Sequence, residues 1–272
     1  MSISIPILTY HSLHAPGWAY EDNDHVALSS DLLELVERGY SIVPLRRLVE
    51  HIIDNKWTSL ESGKWVGLSF DDGTDHDFID FYATGYGYLR SFFSIVCDHL
   101  GHLKQPDLPG AVATSFVIAS SSARDVLDKT CIAGRGQWSS RWWYPALLSG
   151  VIDIGNHSWD HLHPSLPGYG SENFSCVTNV DRAHFQIRQA EQYIGKKTSY
   201  KHSRLFAYPE GISTDFLTQV YFPSTANPGI EAAFTTKGEP VCADSPIWQL
   251  PRFVCGEHWK TQRDFVQLLK NC

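Results

Sequence analysis

Four short stretches hold the residues that could do chemistry: "TYHS" (Thr9–Ser12), "SFDDG" (Ser69–Gly73), "GNHSWDH" (Gly155–His161) and "FAYPEG" (Phe206–Gly211). Each follows an apolar run. Asp71 and Asp72 pose the sharpest question, because adjacent carboxylates at the end of a buried strand repel with little screening. "HSWDH" suggests the remedy. His157 and His161 stand at i and i+4, and on one helical turn such imidazoles share a face and reach one ion. Two imidazoles and one carboxylate, Asp71 or Asp72, make a facial set with positions open for water and substrate. A divalent cation there offsets the repulsion and lowers the pKa of a water from ~15.7 toward ~7. Successive strand side chains point oppositely, so the second carboxylate is left as a general base.

Strands and helices must alternate to bring these stretches together. "ISIPILTYH", "SIVPL", "KWVGLSF", "VATSFVIA", the run Val151–Ile154, "RLFAYPEG", "IEAAFTT" and "IWQLPRFVC" read as strands. Helices are expected after a Ser29 or Ser30 cap, ending at Gly39, and over "LRRLVEHIID" and "YGYLRSFFSIVCDHLG". A short one is expected in "RWWYPALLSG", an amphipathic one over Asn179–Gly195 ending at Gly195, and a closing one over "TQRDFVQLLK". This alternation specifies an α/β fold with a parallel sheet, open or closed into a barrel, and outer helices. In such folds the carboxyl ends of the strands share one mouth, and all four chemical stretches sit at those ends. No Pro/Gly/Ser linker divides the chain, so residues 1–272 read as a single domain with an insertion around 75–110.

Composition narrows the classes. The chain has 272 residues, 43% of them apolar, enough for a substantial core. The net charge of −8 and the lack of a Lys/Arg block argue against nucleic acid. No apolar run approaches the ~18 residues of a membrane span. Six scattered cysteines without a C-x-x-C pair read as reduced thiols. With no secretory signal in "MSISIPILTYHSL", the chain reads as cytoplasmic as given, a secreted or periplasmic form with its signal removed being the alternative.

"SFDDG", "NHSWDH" and "FAYPEG" together resemble the polysaccharide deacetylase family, the NodB-homology carbohydrate esterases. "TYHS" and "FAYP" look most like the branch that deacetylates poly-N-acetylglucosamine. The resemblance runs from His11 to about Arg252. It implies a distorted (β/α) barrel of about seven strands and hydrolysis of an N-acetyl amide on a GlcNAc-containing glycan. It implies Asp71 as general base and Asp72, His157 and His161 as ligands of one divalent ion, zinc first, with cobalt, nickel or iron as alternatives. By the same resemblance His11 is the general acid and the backbone at Tyr208 helps to hold the oxyanion. Three departures stand out. Ala207 and Tyr208 replace an arginine common before the third motif's proline, and Arg252 in "LPRF" is the candidate to supply that charge beside Asp71. Glu210 replaces a common aromatic residue. The "LxH" segment of other branches is missing, with His258 in "GEHW" as a substitute acid.

Blander readings stand beside these. His163 competes with His161 as a ligand, though i+4 spacing favours His161. Asp160 is an orienting group or a solvated loop residue. Trp138, Trp142 and Trp143 are a sugar platform or core. Ser158 lacks a relay and reads as a turn hydrogen bond rather than a nucleophile. Rival functions are an amidase acting on a small amide or cyclic imide and a non-catalytic carbohydrate-binding module. A two-carboxylate glycosidase is excluded, since neighbouring residues cannot flank a sugar ring ~5–9.5 Å apart.

Overall fold

In the computed structural model, which describes residues 3–14, 17–60, 63–102, 110–132 and 134–272, seven parallel strands lie side by side in a curled sheet. In chain order the strands are β1 (Ile7–His11), β2 (Ser41–Ile42), β3 (Trp65–Asp71), β4 (Phe81–Ala83), β5 (Gly87–Leu89), β6 (Ala113–Val117), β7 (Ile152–Asn156), β8 (Leu205–Ala207), β9 (Ala232–Phe234) and β10 (Phe253–Val254). The sheet order is β10-β1-β3-β6-β7-β8-β9, with β2 beside the start of β3 and β4–β5 a separate hairpin. This is the distorted (β/α) barrel with about seven strands.

Its two edges are joined by one segment. Leu250 pairs with β9, its N–H donating to Ala233 at 2.9 Å and its carbonyl accepting from Thr235 at 2.8 Å. Three residues later Phe253 pairs with Leu8 of β1. Residues 250–254 therefore staple the barrel, and Arg252 lies between the two attachments.

Strand alternation divides the core. Leu8, Tyr10, Leu68 and Phe70 pack beneath the helices α1 (Asp24–Glu37), α3 (Phe92–Leu100) and α8 (Gln262–Asn271). Ile7, Phe116, Leu205, Ala207 and Phe234 form a second cluster with α2 (Leu45–Ile53). Gly155 makes room for Phe116, whose ring would lie 2.6 Å from a Cβ there.

Several elements depart from the sequence reading. The first helix starts at Asp24, not after Ser29, because Asn23 caps it by accepting the His25 N–H at 2.8 Å. The helix expected over residues 86–101 begins only at Phe92, capped by Ser91, because Tyr82 and Tyr88 pair across the β4–β5 hairpin. Helix α4 (Ser121–Cys131) was not anticipated; α5 (Trp143–Ser149) was. The amphipathic run forms α6 (Val180–Ala183), a π turn and α7 (Gln189–Lys197). Gly195 does not end that helix. It admits the Tyr200 ring, which would lie 2.6 Å from a Cβ. Of the expected insertion, residues 103–109 lie outside the described residues.

Beneath β1, Asp31 accepts hydrogen bonds from Tyr10 (2.8 Å), Tyr20 (2.6 Å) and Trp259 (3.2 Å). Burial outweighs these donors and pushes its carboxyl up to about 7. The unfolded chain ionises this group near pH ~4. Between there and about 7 the folded state holds a proton that the unfolded state has lost, so stability falls as pH rises through this window. Asp31→Asn is expected to flatten this fall, as read by urea unfolding at pH values across it.

Candidate metal centre and its cavity

The four chemical stretches converge at the carboxyl end of the barrel. His11 and Asp71 are register partners on β1 and β3. His157 follows β7, its N–H donating to Val117 at 3.0 Å. Together with Asp72, His161, His163, Trp138 and Glu210 they line a cavity of about 390 Å³.

The two aspartates part company through the backbone. Asp71 is the last residue of β3 and belongs to the same strand face as Ser69, beside which it meets Arg252. Asp72 lies beyond the strand at φ 73°, followed by Gly73 at φ 71°. Strand alternation is therefore not what separates them; a left-handed turn is. Gly73 cannot be replaced cheaply, because a Cβ would lie 2.5 Å from Val117 Cγ1. The turn is held from outside. The Asp72 carbonyl accepts from the Trp138 indole N–H at 3.0 Å and from the Ile118 N–H at 3.3 Å. Asp75 accepts from the Ser139 N–H (2.8 Å) and hydroxyl (2.7 Å) and from Arg141 (2.9 Å).

Asp71 is buried with a dedicated counter-charge. The Arg252 guanidinium donates two parallel hydrogen bonds to its carboxylate, each 2.7 Å. Burial pulls this carboxyl upward, but Arg252, with His157 and His11, outweighs it and holds the group well below the usual carboxylate range. The charge missing from the third motif is thus present at Arg252.

Asp72, His157 and His161 form the one group of metal-donor side chains found among the described residues. Asp72 Oδ1 lies 3.6 Å from His157 Nε2 and 3.8 Å from His161 Nε2. Ligands at ~2.0–2.2 Å from one ion stand at most ~4.4 Å apart, so these spacings fit. His157 Nδ1–H donates to the Ala207 carbonyl at 2.9 Å, which leaves the Nε2 lone pair directed at the group. Burial, reinforced by His157, lowers His161 to about 3, so its imidazole is neutral and able to ligate. The two histidines do not share a helical turn. Ser158 and His161 have φ of 72° and 68°, and the turn is tied by Ser158 N–H to Asn156 Oδ1 (2.8 Å) and His161 N–H to Ser158 Oγ (2.9 Å).

Other candidates fall on either side. His163 lines the cavity outside the donor group, and its Nδ1 accepts from the Ser165 N–H at 3.2 Å. His258 does not line it, and its Nδ1 is committed to the Val254 N–H at 2.9 Å. Asp160 is buried and shapes the loop by accepting from Gln186, Tyr169 and the Leu162 N–H. Of the three tryptophans Trp138 reaches the cavity, while Trp142 and Trp143 belong to the core.

The oxyanion assignment to Tyr208 is corrected. Its N–H donates to the Phe234 carbonyl at 3.0 Å as part of the sheet, and its hydroxyl donates to Trp248 at 2.9 Å. Two residues on, Glu210 lines the cavity with φ 54°, in the one-turn helix Pro209–Gly211, where the Gly211 N–H donates to the Tyr208 carbonyl at 2.9 Å.

Asp77 escaped the sequence reading. It is buried beside the centre, accepts from Ser12 and Ser115 at 2.6 Å each, and is pushed up to about 7 by burial. Its only sequence signal is the D-x-D spacing with Asp75.

Among solved structures, the chain is similar to the Streptococcus pyogenes deacetylase PplD in complex with acetate, at 18% identity and TM-score 0.64 over 99% of both chains. It is similar to IcaB from Ammonifex degensii at 17% identity and TM-score 0.66, covering 98% of this chain and 96% of that one. It also matches a de-N-acetylase from Aggregatibacter actinomycetemcomitans at 19% identity and TM-score 0.62, covering 97% and 100%. No protein-family profile and no curated protein matches the sequence. The fold is that of the polysaccharide deacetylases.

Two outcomes are expected from this geometry. Asp72→Ala and His157→Ala should each lose a stoichiometric divalent ion in elemental analysis of the purified chain. Arg252→Met should cost about 3–5 kcal/mol in urea unfolding, because it strands a buried carboxylate, and adding Asp71→Asn should recover part of that loss.

Proposed function

We propose that this chain is a metal-dependent hydrolase of carbon–nitrogen bonds other than peptide bonds, removing N-acetyl groups from a GlcNAc-containing oligo- or polysaccharide. The observation that carries the reading is the pair of adjacent carboxylates in different environments. Asp71 is held ionised by Arg252, while Asp72 faces the His157 and His161 imidazoles in the same cavity.

A divalent ion held by Asp72, His157 and His161 would supply Lewis acidity toward the acetamide oxygen and the attacking water. Asp71 takes the proton of that water as it attacks the carbonyl carbon. Its carboxylate is fixed by Arg252, so it pays no reorientation cost during the reaction. The Glu210 N–H, on the cavity wall, is the backbone donor assigned to the developing oxyanion. His11, on the opposite register partner, protonates the departing amine, which is a poor leaving group as an anion. The attack of water is direct, with no acyl-enzyme required.

The test is acetate release from N-acetylated and O-acetylated oligosaccharides, with and without chelator. Expected are release from the N-acetylated set, loss with chelator and recovery on adding a divalent ion back. Asp71→Asn should lower turnover by about 10²–10⁴-fold while retaining the ion, and His11→Ala by a similar factor. Turnover of a small cyclic imide with no acetate release from any glycan would favour the amidase reading.

A further inference from the structure

We propose that Trp18, Tyr82, Tyr86 and Tyr88 form a second glycan-binding surface, a platform outside the active-site cavity that takes the polymer chain beyond the sugar being deacetylated. The proposal rests on the glycan reading above for the chemistry of that chain.

These side chains are 68%, 68%, 37% and 76% exposed, and they are four of the six strongly exposed aromatic residues among the described residues. They come from two separate segments that meet. The Trp18 and Tyr86 rings lie 5.7 Å apart at 36°. Tyr82 and Tyr88 are direct cross-strand partners on the β4–β5 hairpin, so they share one face, with rings 6.4 Å apart. Exposing so much aromatic surface costs solvation unless something covers it.

Position argues for a glycan. Trp18 lies on the loop after β1, and the hairpin lies on the connection after β3. Both leave the carboxyl end of the sheet, where His11 and Asp71 open into the cavity. Tyr82 and Tyr86 also line a second cavity of about 430 Å³ together with Arg135 and Gln137. The Gln137 carbonyl accepts from the Asp75 N–H at 2.9 Å and the His76 ring stacks on Phe81 of β4 at 3.6 Å, so this second cavity and the hairpin pack against the loop that follows Asp72. The aromatic rings are thus carried by the same loops that follow His11 and Asp72 at the catalytic end of the barrel.

Chemistry agrees. Among the described residues, the segments that carry the patch, 17–22 and 81–89, expose aromatic rings and no large aliphatic side chain. Flat rings with hydroxyl or indole N–H edges suit the apolar faces and hydroxyl rims of pyranose rings, and Arg135 and Gln137 add donors beside them.

The experiment uses the full chain carrying Asp71→Asn, so that binding is read without turnover. Retention is measured by affinity electrophoresis in gels containing poly-N-acetylglucosamine or glycol chitin. The double substitutions Trp18→Ala/Tyr86→Ala and Tyr82→Ala/Tyr88→Ala are each expected to weaken retention by about tenfold on at least one polymer. In the otherwise native chain both should leave acetate release from an N-acetylglucosamine disaccharide unchanged. Wild-type-like retention in both doubles overturns the proposal, as does a chain that neither polymer retains. Light scattering that shows a dimer dissolved by these substitutions, with retention intact, assigns the patch to self-association and overturns it too. Retention lost in the doubles without acetate release from any glycan by the native chain supports the platform while removing the deacetylase reading. Acetate release with unaltered retention does the reverse.

Discussion

Asp71 keeps its charge inside the barrel because Arg252 meets it with two parallel hydrogen bonds, and much of the architecture serves that contact. A buried guanidinium is itself expensive unless its donors are used. Here Nε donates to Thr235, Nη1 also reaches Ser69, and the group lies 5.2 Å from the Phe116 ring. Arg252 can be there only because residues 250–254 pair with β9 on one side and β1 on the other. The segment that closes the barrel is therefore also the one that delivers the counter-charge.

With the charge of Asp71 countered by Arg252, Asp72 faces a different field. The left-handed turn at Asp72–Gly73 swings its carboxylate toward His157 and His161. Such backbone costs of order 1–3 kcal/mol at a non-glycine residue, and it persists only where the surroundings impose it. Trp138 and Ile118 hold the Asp72 carbonyl; Asn156 and Ser158 hold the histidine turn. Three left-handed non-glycine residues, Asp72, Ser158 and His161, thus supply or support one donor group, and Glu210 adds a fourth on the cavity wall.

Much of this was legible in one dimension. The α/β class followed from apolar runs alternating with amphipathic ones. The convergence of "TYHS", "SFDDG", "HSWDH" and "FAYPEG" followed from their places at strand ends, because parallel strands put those ends at one mouth. The misjudged elements have physical causes. Tyr82, Tyr86 and Tyr88 support strand or helix equally by pattern, and cross-strand pairing decided it. Gly195 looked like a stop signal, but glycine serves close packing as well as termination, and Tyr200 took up the space.

The sequence by itself determined which residue types were available and that they would gather, since composition and periodicity act locally along the chain. Only the tertiary structure decided which atom does what. Arg252 is 181 residues from Asp71; the resemblance named it as the counter-charge, but the two parallel hydrogen bonds come from the closure of the barrel, which no local rule specifies. The Tyr208 N–H was withdrawn from the cavity by a hydrogen bond to β9, a partner known only once the strands are arranged. The separation of Asp71 from Asp72 came from a positive φ imposed by neighbours distant in sequence, because backbone strain is sustained by packing and not by the residue that bears it.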